Sequence, residues 1–253
     1  MTSLSNRPKL GKLPKKHDAR NLQLAKYLAQ KDYPVIPNSY QWSLWCPPNL
    51  GMMRNDDLGD CVCAGVGHAI QSYTGNALGR AHAVTVSDAS VVKMYQRVGG
   101  YVPGDPSTDN GCHMIEGAKD FVKNGIEGHR ARAFVEVSRD PDLLRVAGWL
   151  FGGLYLGAWL FSNIWGADVW EPPSASDRLE GGHCIFGTDV DADGMSVVTW
   201  GEHQRVSWEW AKSPKVLDEA YVFVSDDQLT KLGQSVPGFD VDQMLADLAL
   251  VRA

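Results

Sequence analysis

Only five of the 253 residues are cysteine, an odd number with no spacing that frames a set of disulfides. That excludes a small disulfide-stapled scaffold and suits a reducing compartment. Long apolar runs are missing too. The stretch from Val146 to Phe161 carries no charge, but it falls short of the roughly 18–20 residues of a membrane span and Gly152-Gly153 breaks it. No secretion signal is read, because the first residues lack an apolar core of that type. No repeat of 20–50 residues is visible, which removes solenoids and propellers. No glycine-rich phosphate loop precedes a helix, so nucleotide binding is not expected. Zinc sites normally show Cys-x2–4-Cys pairs. Here Cys61 and Cys63 are separated by one residue, about 200° apart on a helix at ~100° per residue, so neither a metal nor another cofactor is expected.

What remains is globular in composition, with 44% hydrophobic and 21% charged residues, and long enough to bury a sizeable core. The net charge of −6 argues against a nucleic-acid binder, yet it is unevenly spread. Residues 1–31 hold Arg7, Lys9, Lys12, Lys15, Lys16, Arg20, Lys26 and Lys31 against Asp18 alone, leaving about −13 on the remainder. Such a basic arm is either a solvated tail or a segment that docks onto an acidic protein partner or a neighbouring copy.

The chain is organised around Asn55-Asp56-Asp57-Leu58-Gly59-Asp60-Cys61. Asp60 is suited to capping a helix that starts at Cys61 and ends near Gly75. A cysteine in the first turn feels unpaired N–H groups and the helix dipole, which favour the reactive thiolate. Before it, residues 1–17 read as a flexible arm and Asp18 as the cap of a helix to about Gln30. Further helices are expected over Ala89–Val98, Met114–Asn124, a short stretch after Asp140-Pro141, and Val241–Val251. Strands are expected over Ala133–Val137, Leu154–Phe161, His183–Val190, Met195–Trp200 and Ala220–Val224, with Trp170–Leu179 as a loop. Helices followed by antiparallel strands predict an α+β protein with a cleft between its halves. The expected divisions are residues 1–40 (arm and helix), 41–133 (helical half), 134–226 (β-rich half) and 227–253 (helical tail).

Several segments, in order, resemble the papain family of cysteine peptidases over about residues 40–226. Asn55-x5-Cys61 has the spacing of that family's oxyanion-hole glutamine and its nucleophile, with Gly59 at a family glycine. Asp60-Cys61 resembles the related bacteriocin-processing peptidases. Val86-Ser87-Asp88-Ala89-Ser90-Val91-Val92 is similar to the family's Leu-Ser-Glu-Gln-x-Leu-Val segment. Asn110-Gly111-Cys112 resembles the substrate strip, and Ala118 through Asn124-Gly125-Ile126 the helix that follows it. Gly182-His183-Cys184-Ile185-Phe186-Gly187 resembles the histidine strand, and Thr199-Trp200-Gly201 the Asn-Ser-Trp-Gly motif.

The resemblance implies a papain-like fold and a thiol peptidase or amidase. Cys61 would attack a carbonyl, His183 would serve as general base and acid, and an acyl-enzyme would be hydrolysed by water. Asn55 and the Cys61 N–H would hold the oxyanion, Gly111 would offer backbone to a peptide substrate, and Trp200 would screen the histidine. Two positions depart from the pattern. Asn55 is one methylene shorter than glutamine, and no asparagine precedes Thr199-Trp200-Gly201. The histidine's partner is then Thr199, or Glu202 if Asp191-Ala192-Asp193-Gly194 forms a four-residue hairpin loop. These departures and the basic arm also admit a non-catalytic papain-fold protein in an assembly such as a virus particle. A cytoplasmic or virion-associated location is expected. The forty residues before Trp42 are short for the family's inhibitory propeptide, so zymogen control of that kind is not expected. Cys63 and His68 are read as packed structural residues, and Cys112-His113 likewise.

Overall fold

The computed structural model describes residues 7–27, 35–228 and Ala246. The helix expected over Val241–Val251 lies outside those residues apart from Ala246. The first long helix is α1 (Cys61–Leu78), in which every residue from Cys61 to Gly75 is buried. A helix apolar on all sides is stable only when enclosed. Asp60 sits at its start but its side chain does not cap it. The Asp60 carbonyl takes the N–H groups of Cys63 and Ala64, while its carboxyl accepts from the Asn55 amide at 3.2 Å. The next helices are α2 (Asp88–Gly99), capped by Ser87, and α3 (Met114–Lys123). In α4 (Pro141–Phe151), Pro141 occupies the first turn and Asp140 accepts the Leu143 N–H at 2.9 Å. Gly152-Gly153 then turns the chain, both at positive φ.

The strands are β1 (Tyr40–Gln41), β2 (Ala131–Glu136), β3 (Leu154–Phe161), β4 (Val169–Trp170), β5 (Leu179–Val190), β6 (Gly194–Thr199), β7 (Glu202–Ser207) and β8 (Leu217–Ser225), with α5 (Trp208–Lys212) between the last two. They form one sheet in the order β2-β8-β3-β5-β6-β7-β4, with β1 added on β5. Among these eight strands only the β4–β7 pairing is parallel. The α+β class holds.

The period-2 alternation of strands sends side chains to two cores. Tyr155, Cys184, Phe186, Tyr221 and Phe223 pack with α1, α2 and α3. Leu154, Leu156, Ile185, Ala220 and Val222 pack on the opposite face with α4 and Trp210 of α5.

Three local expectations change. Between Asp18 and Tyr27 only a single 3-10 turn forms, Leu24–Lys26. Asp18 binds Arg20 instead of capping a helix. Strand β7 was not legible, because Glu202-His203-Gln204-Arg205 lacks apolar alternation. Its ladder with β6, from Thr199↔Glu202 to Gly194↔Ser207, supplies what propensity does not. The expected loop Trp170–Leu179 begins in β4 and ends in β5.

One hydrogen bond ties α1 to the sheet: the buried Tyr155 hydroxyl donates to the Val62 carbonyl at 2.8 Å. Tyr155→Phe should lower stability by about 1 kcal/mol, and Tyr155→Ala by about 3–5 kcal/mol through cavity formation. Urea unfolding of the two variants checks both values. Equal losses would show that the hydroxyl carries the whole effect.

Candidate active site

Cys61 is the first residue of α1 and is fully buried. The turn before it is fixed by a carboxylate from a distant loop. Asp109 Oδ1 accepts the Gly59 N–H at 2.9 Å and the Tyr95 hydroxyl at 2.7 Å. Tyr95 in turn accepts the Gly111 N–H at 2.8 Å. This relay sets the loop 109–112 alongside the start of α1. Gly111 has φ +74°, a conformation that favours glycine. Burial opposes charge on Asp109, but hydrogen bonds from Lys9, Tyr95 and Gly59 hold its carboxyl below the ordinary value.

On the other side, β5 carries His183, whose Nε2 lies 2.7 Å from the Thr199 hydroxyl. The ring stacks on Trp200, centroids 4.5 Å apart and planes 22° apart. Trp200 is itself stacked on Trp165 at 5.6 Å. Glu202 is not brought to the imidazole. It is exposed at the start of β7, opposite Thr199 in the ladder. The β5–β6 ladder shifts register between Gly187 and Asp189, which counting residues across the hairpin loop does not reveal. Nδ1 of His183 is buried and has no hydrogen-bond partner among the described residues. No hydrogen bond joins it to Cys61. The N–H groups of Cys184, the neighbour of His183, and of Gly11 instead lie towards the Cys61 thiol and favour its charged form.

Gly11 belongs to the basic arm, which is neither a free tail nor a helix. From Arg7 onward it crosses the site as an irregular segment with one isolated parallel bridge, Lys12↔Cys112. The Cys112 N–H donates to Gly11 O at 2.9 Å, Leu13 N–H to Cys112 O at 3.0 Å, and Lys12 N–H to Gly182 O at 2.9 Å. Glycines line this passage because side chains would fill it. A Cβ on Gly11 would run into the Gly59 carbonyl, one on Gly111 into Gly11 O, and one on Gly182 into Lys12 O. The arm's charges meet the acidic body: Arg7–Glu180 at 2.9 Å, Lys9–Asp109 at 2.5 Å, Lys15–Glu136 at 2.5 Å and Lys16–Glu116 at 2.9 Å. His113 Nδ1 adds a contact to the Pro14 carbonyl at 2.9 Å.

Cys61 and His183 are both fully buried, and burial sets their protonation. Cys61 is pushed up to about 12 by burial, against the two N–H groups that pull it down. His183 is pushed down to about 3 by burial, with a further contribution from His68. The pair is therefore a neutral thiol and a neutral imidazole. His68 is packed as expected, 2.9 Å from Gln71 Oε1, and burial takes it down to about 4. Cys63 lies in the helical-side core. Asn55 is buried, and its amide donates to Leu58 O at 3.4 Å and Asp60 Oδ1 at 3.2 Å.

Sequence reasoning missed Asp109, Tyr95 and the arm's path. The only signals were the aspartate two residues before Gly111 and the lysines that stud residues 9–16 around the single Gly11.

Neither a protein-family model nor a curated protein matches the sequence. Among solved structures the chain is similar to xylellain, a cysteine protease from Xylella fastidiosa, at 15% identity and TM-score 0.66, over 86% of this chain and 96% of that one. It is similar to procathepsin B S9 of Trypanosoma congolense at 10% identity and TM-score 0.61, over 86% of each chain. A digestive procathepsin L 3 from the larval midgut of Tenebrio molitor matches at 12% identity and TM-score 0.60, over 87% of this chain and 76% of that one. The chain has a papain-like fold.

Burial raises the Asp60 carboxyl to about 8, against the Asn55 hydrogen bond that lowers it. Its acid form is favoured in the folded state. The stability it contributes is complete below the ordinary value of 3.8 and is lost as pH rises through about 8. Asp60→Asn should therefore lose less stability between pH 5 and pH 8 than the parent chain. Urea midpoints at the two pH values test this; an unchanged difference would remove Asp60 as the titrating group.

Proposed function

We propose that this chain is a thiol peptidase or amidase that forms an acyl-enzyme at Cys61 and is held closed by its own arm. The observation that carries the reading is the arm itself. A stretch of backbone already lies across the start of the Cys61 helix, hydrogen-bonded to Cys112 and Gly182, with Gly11 packed against the Gly59 carbonyl two residues before Cys61. A groove that holds one peptide backbone in this way suits a peptide substrate once the arm leaves.

The chemistry then follows from rehydration. With the arm displaced, burial no longer penalises charge, and the helix N-terminus favours a thiolate at Cys61. His183 takes the thiol proton at Nδ1, the nitrogen not engaged by Thr199. Thr199 orients the ring through Nε2, in place of an asparagine, and Trp200 shields that hydrogen bond. The thiolate attacks the carbonyl carbon, and the oxyanion is met by the Cys61 N–H. Asn55 joins as a second donor only by releasing one of its two present bonds, and each such donor is typically worth on the order of 100- to 1000-fold in rate. The imidazolium gives its proton to the leaving amine, and water then cleaves the thioester. Gly111 and Cys112 supply backbone groups for the peptide.

On this reading the arm acts as a short form of the zymogen-type control that its length did not lead one to expect, and it pairs with acidic residues of the same chain. Gly11→Ala should expel the arm, because its Cβ has no room beside Gly59. In that variant iodoacetamide should modify Cys61 faster than the other four cysteines, and faster than in the parent chain. His183→Ala in the same background should remove the selectivity and cut peptide hydrolysis by about 100- to 10,000-fold, the usual contribution of a general base. Equal labelling of all five thiols, with no Cys61-dependent hydrolysis, would overturn the reading.

A further inference from the structure

One arm residue sits deeper than the rest. The Lys12 side chain is fully buried, with Nζ 2.9 Å from Asp218 Oδ2 and 3.3 Å from Glu219 Oε1. The ammonium also lies 4.7 Å above the Trp159 ring, and donates to Leu13 O at 3.3 Å. Three strands build this pocket: Gly157 and Trp159 of β3, Gly182 of β5, and Asp218 and Glu219 of β8, with Met114 of α3 beside them. Gly157 makes the room, since a Cβ there would stand 2.5 Å from Lys12 Cε and 2.6 Å from Glu219 Cγ. Glu219 is 2% exposed. Its Oε2 accepts the Tyr221 hydroxyl at 3.0 Å, while Oε1 and the Asp218 Oδ1 have no hydrogen-bond partner among the described residues. Burial raises the Glu219 carboxyl and Lys12 works against that rise.

One buried and one half-buried carboxylate, with an aromatic face, make a poor environment for an apolar side chain and a good one for a cation. The pocket is not remote from the chemistry. The residue that fills it is hydrogen-bonded through its own N–H to Gly182, and the residue before it packs against Gly59, two residues before Cys61. Any peptide that replaces the arm along the same backbone partners presents one side chain here.

We infer that the Asp218–Glu219–Trp159 pocket is the specificity site of the groove and selects a cationic side chain, lysine ahead of arginine, in the peptide that binds beside Cys61. Lysine is favoured on size, because Lys12 already leaves no part of its side chain exposed and Gly157 and Met114 close tightly around it. The inference rests on the peptidase reading for its consequence, substrate choice, but the recognition itself is a binding property. Lys12 is then both the plug and the template of the preferred residue.

The test uses the full chain carrying Gly11→Ala and Lys12→Ala, to empty the groove, and Cys61→Ser, to prevent turnover. The probe is a fluorescein-labelled peptide with the sequence of residues 7–16, made either with lysine or with uncharged norleucine at the position of Lys12. Fluorescence anisotropy should show the lysine peptide binding about 30-fold or more tightly, the scale expected when one partner of a buried charge pair is removed. The norleucine exchange changes no residue of the chain, so the comparison survives any instability of pocket variants. Glu219→Gln should reduce the preference. Equal binding of the two peptides, or no binding of either, overturns the inference and leaves the peptidase reading to its own labelling test. A lysine preference in binding, with no Cys61-dependent hydrolysis in the unblocked chain, sinks the peptidase reading and sustains the pocket.

Discussion

The state of the whole site depends on one close approach of backbone to backbone. Residues 11–13 slot between Cys112 on one side and Gly182 on the other, with hydrogen bonds of 2.9–3.0 Å to both. The slot is wide enough only because Gly11, Gly111 and Gly182 carry no side chains. Cys61 and His183 are both fully buried, and the low-dielectric surroundings penalise both charged forms. The neutral thiol and neutral imidazole follow from that burial. Charge on either group is disfavoured for as long as it stays buried.

The uneven charge of the chain has its explanation in the same contact. The basic arm and acidic body are complementary parts of a single surface. The outer pairs, such as Lys16–Glu116 with 55% and 34% of their side chains exposed, each contribute little in water, about 0–1 kcal/mol. They steer the arm without holding it firmly. Lys12 differs because it is desolvated, and a buried charge that loses its partner is costly. The buried part of the docking therefore concentrates at one residue.

Thr199 shows how a short side chain engages a buried imidazole. A threonine hydroxyl reaches less far than an asparagine amide, so the imidazole must come close, and 2.7 Å is a short contact. The ring is held there by stacking, with Trp200 against one face and Trp165 behind it. Aromatic packing thus supplies orientation that the weaker hydrogen bond would not supply alone. Trp200 pays a backbone cost for its place, with φ +48° at the turn into β7.

Local signals carried a good share of the fold. Asp140-Pro141, the Gly152-Gly153 turn and the uncharged run Leu154–Phe161 are near-neighbour effects, and these elements stand where the pattern put them. Cys61 at a helix start and His183 in a strand were legible for the same reason, as was the inward-facing Cys63. What the chain's order alone did not reveal is which distant groups meet. The ladder shift that selects Thr199 over Glu202, the Asp109–Tyr95 brace, and the passage of Gly11 and Lys12 through the groove all join residues far apart in sequence. Residue type determines what a side chain or a glycine is able to do locally. Only the folded packing decides whether a cation, a carboxylate pair and a sulfur share one dry space, because burial and long-range register are properties of the assembled chain.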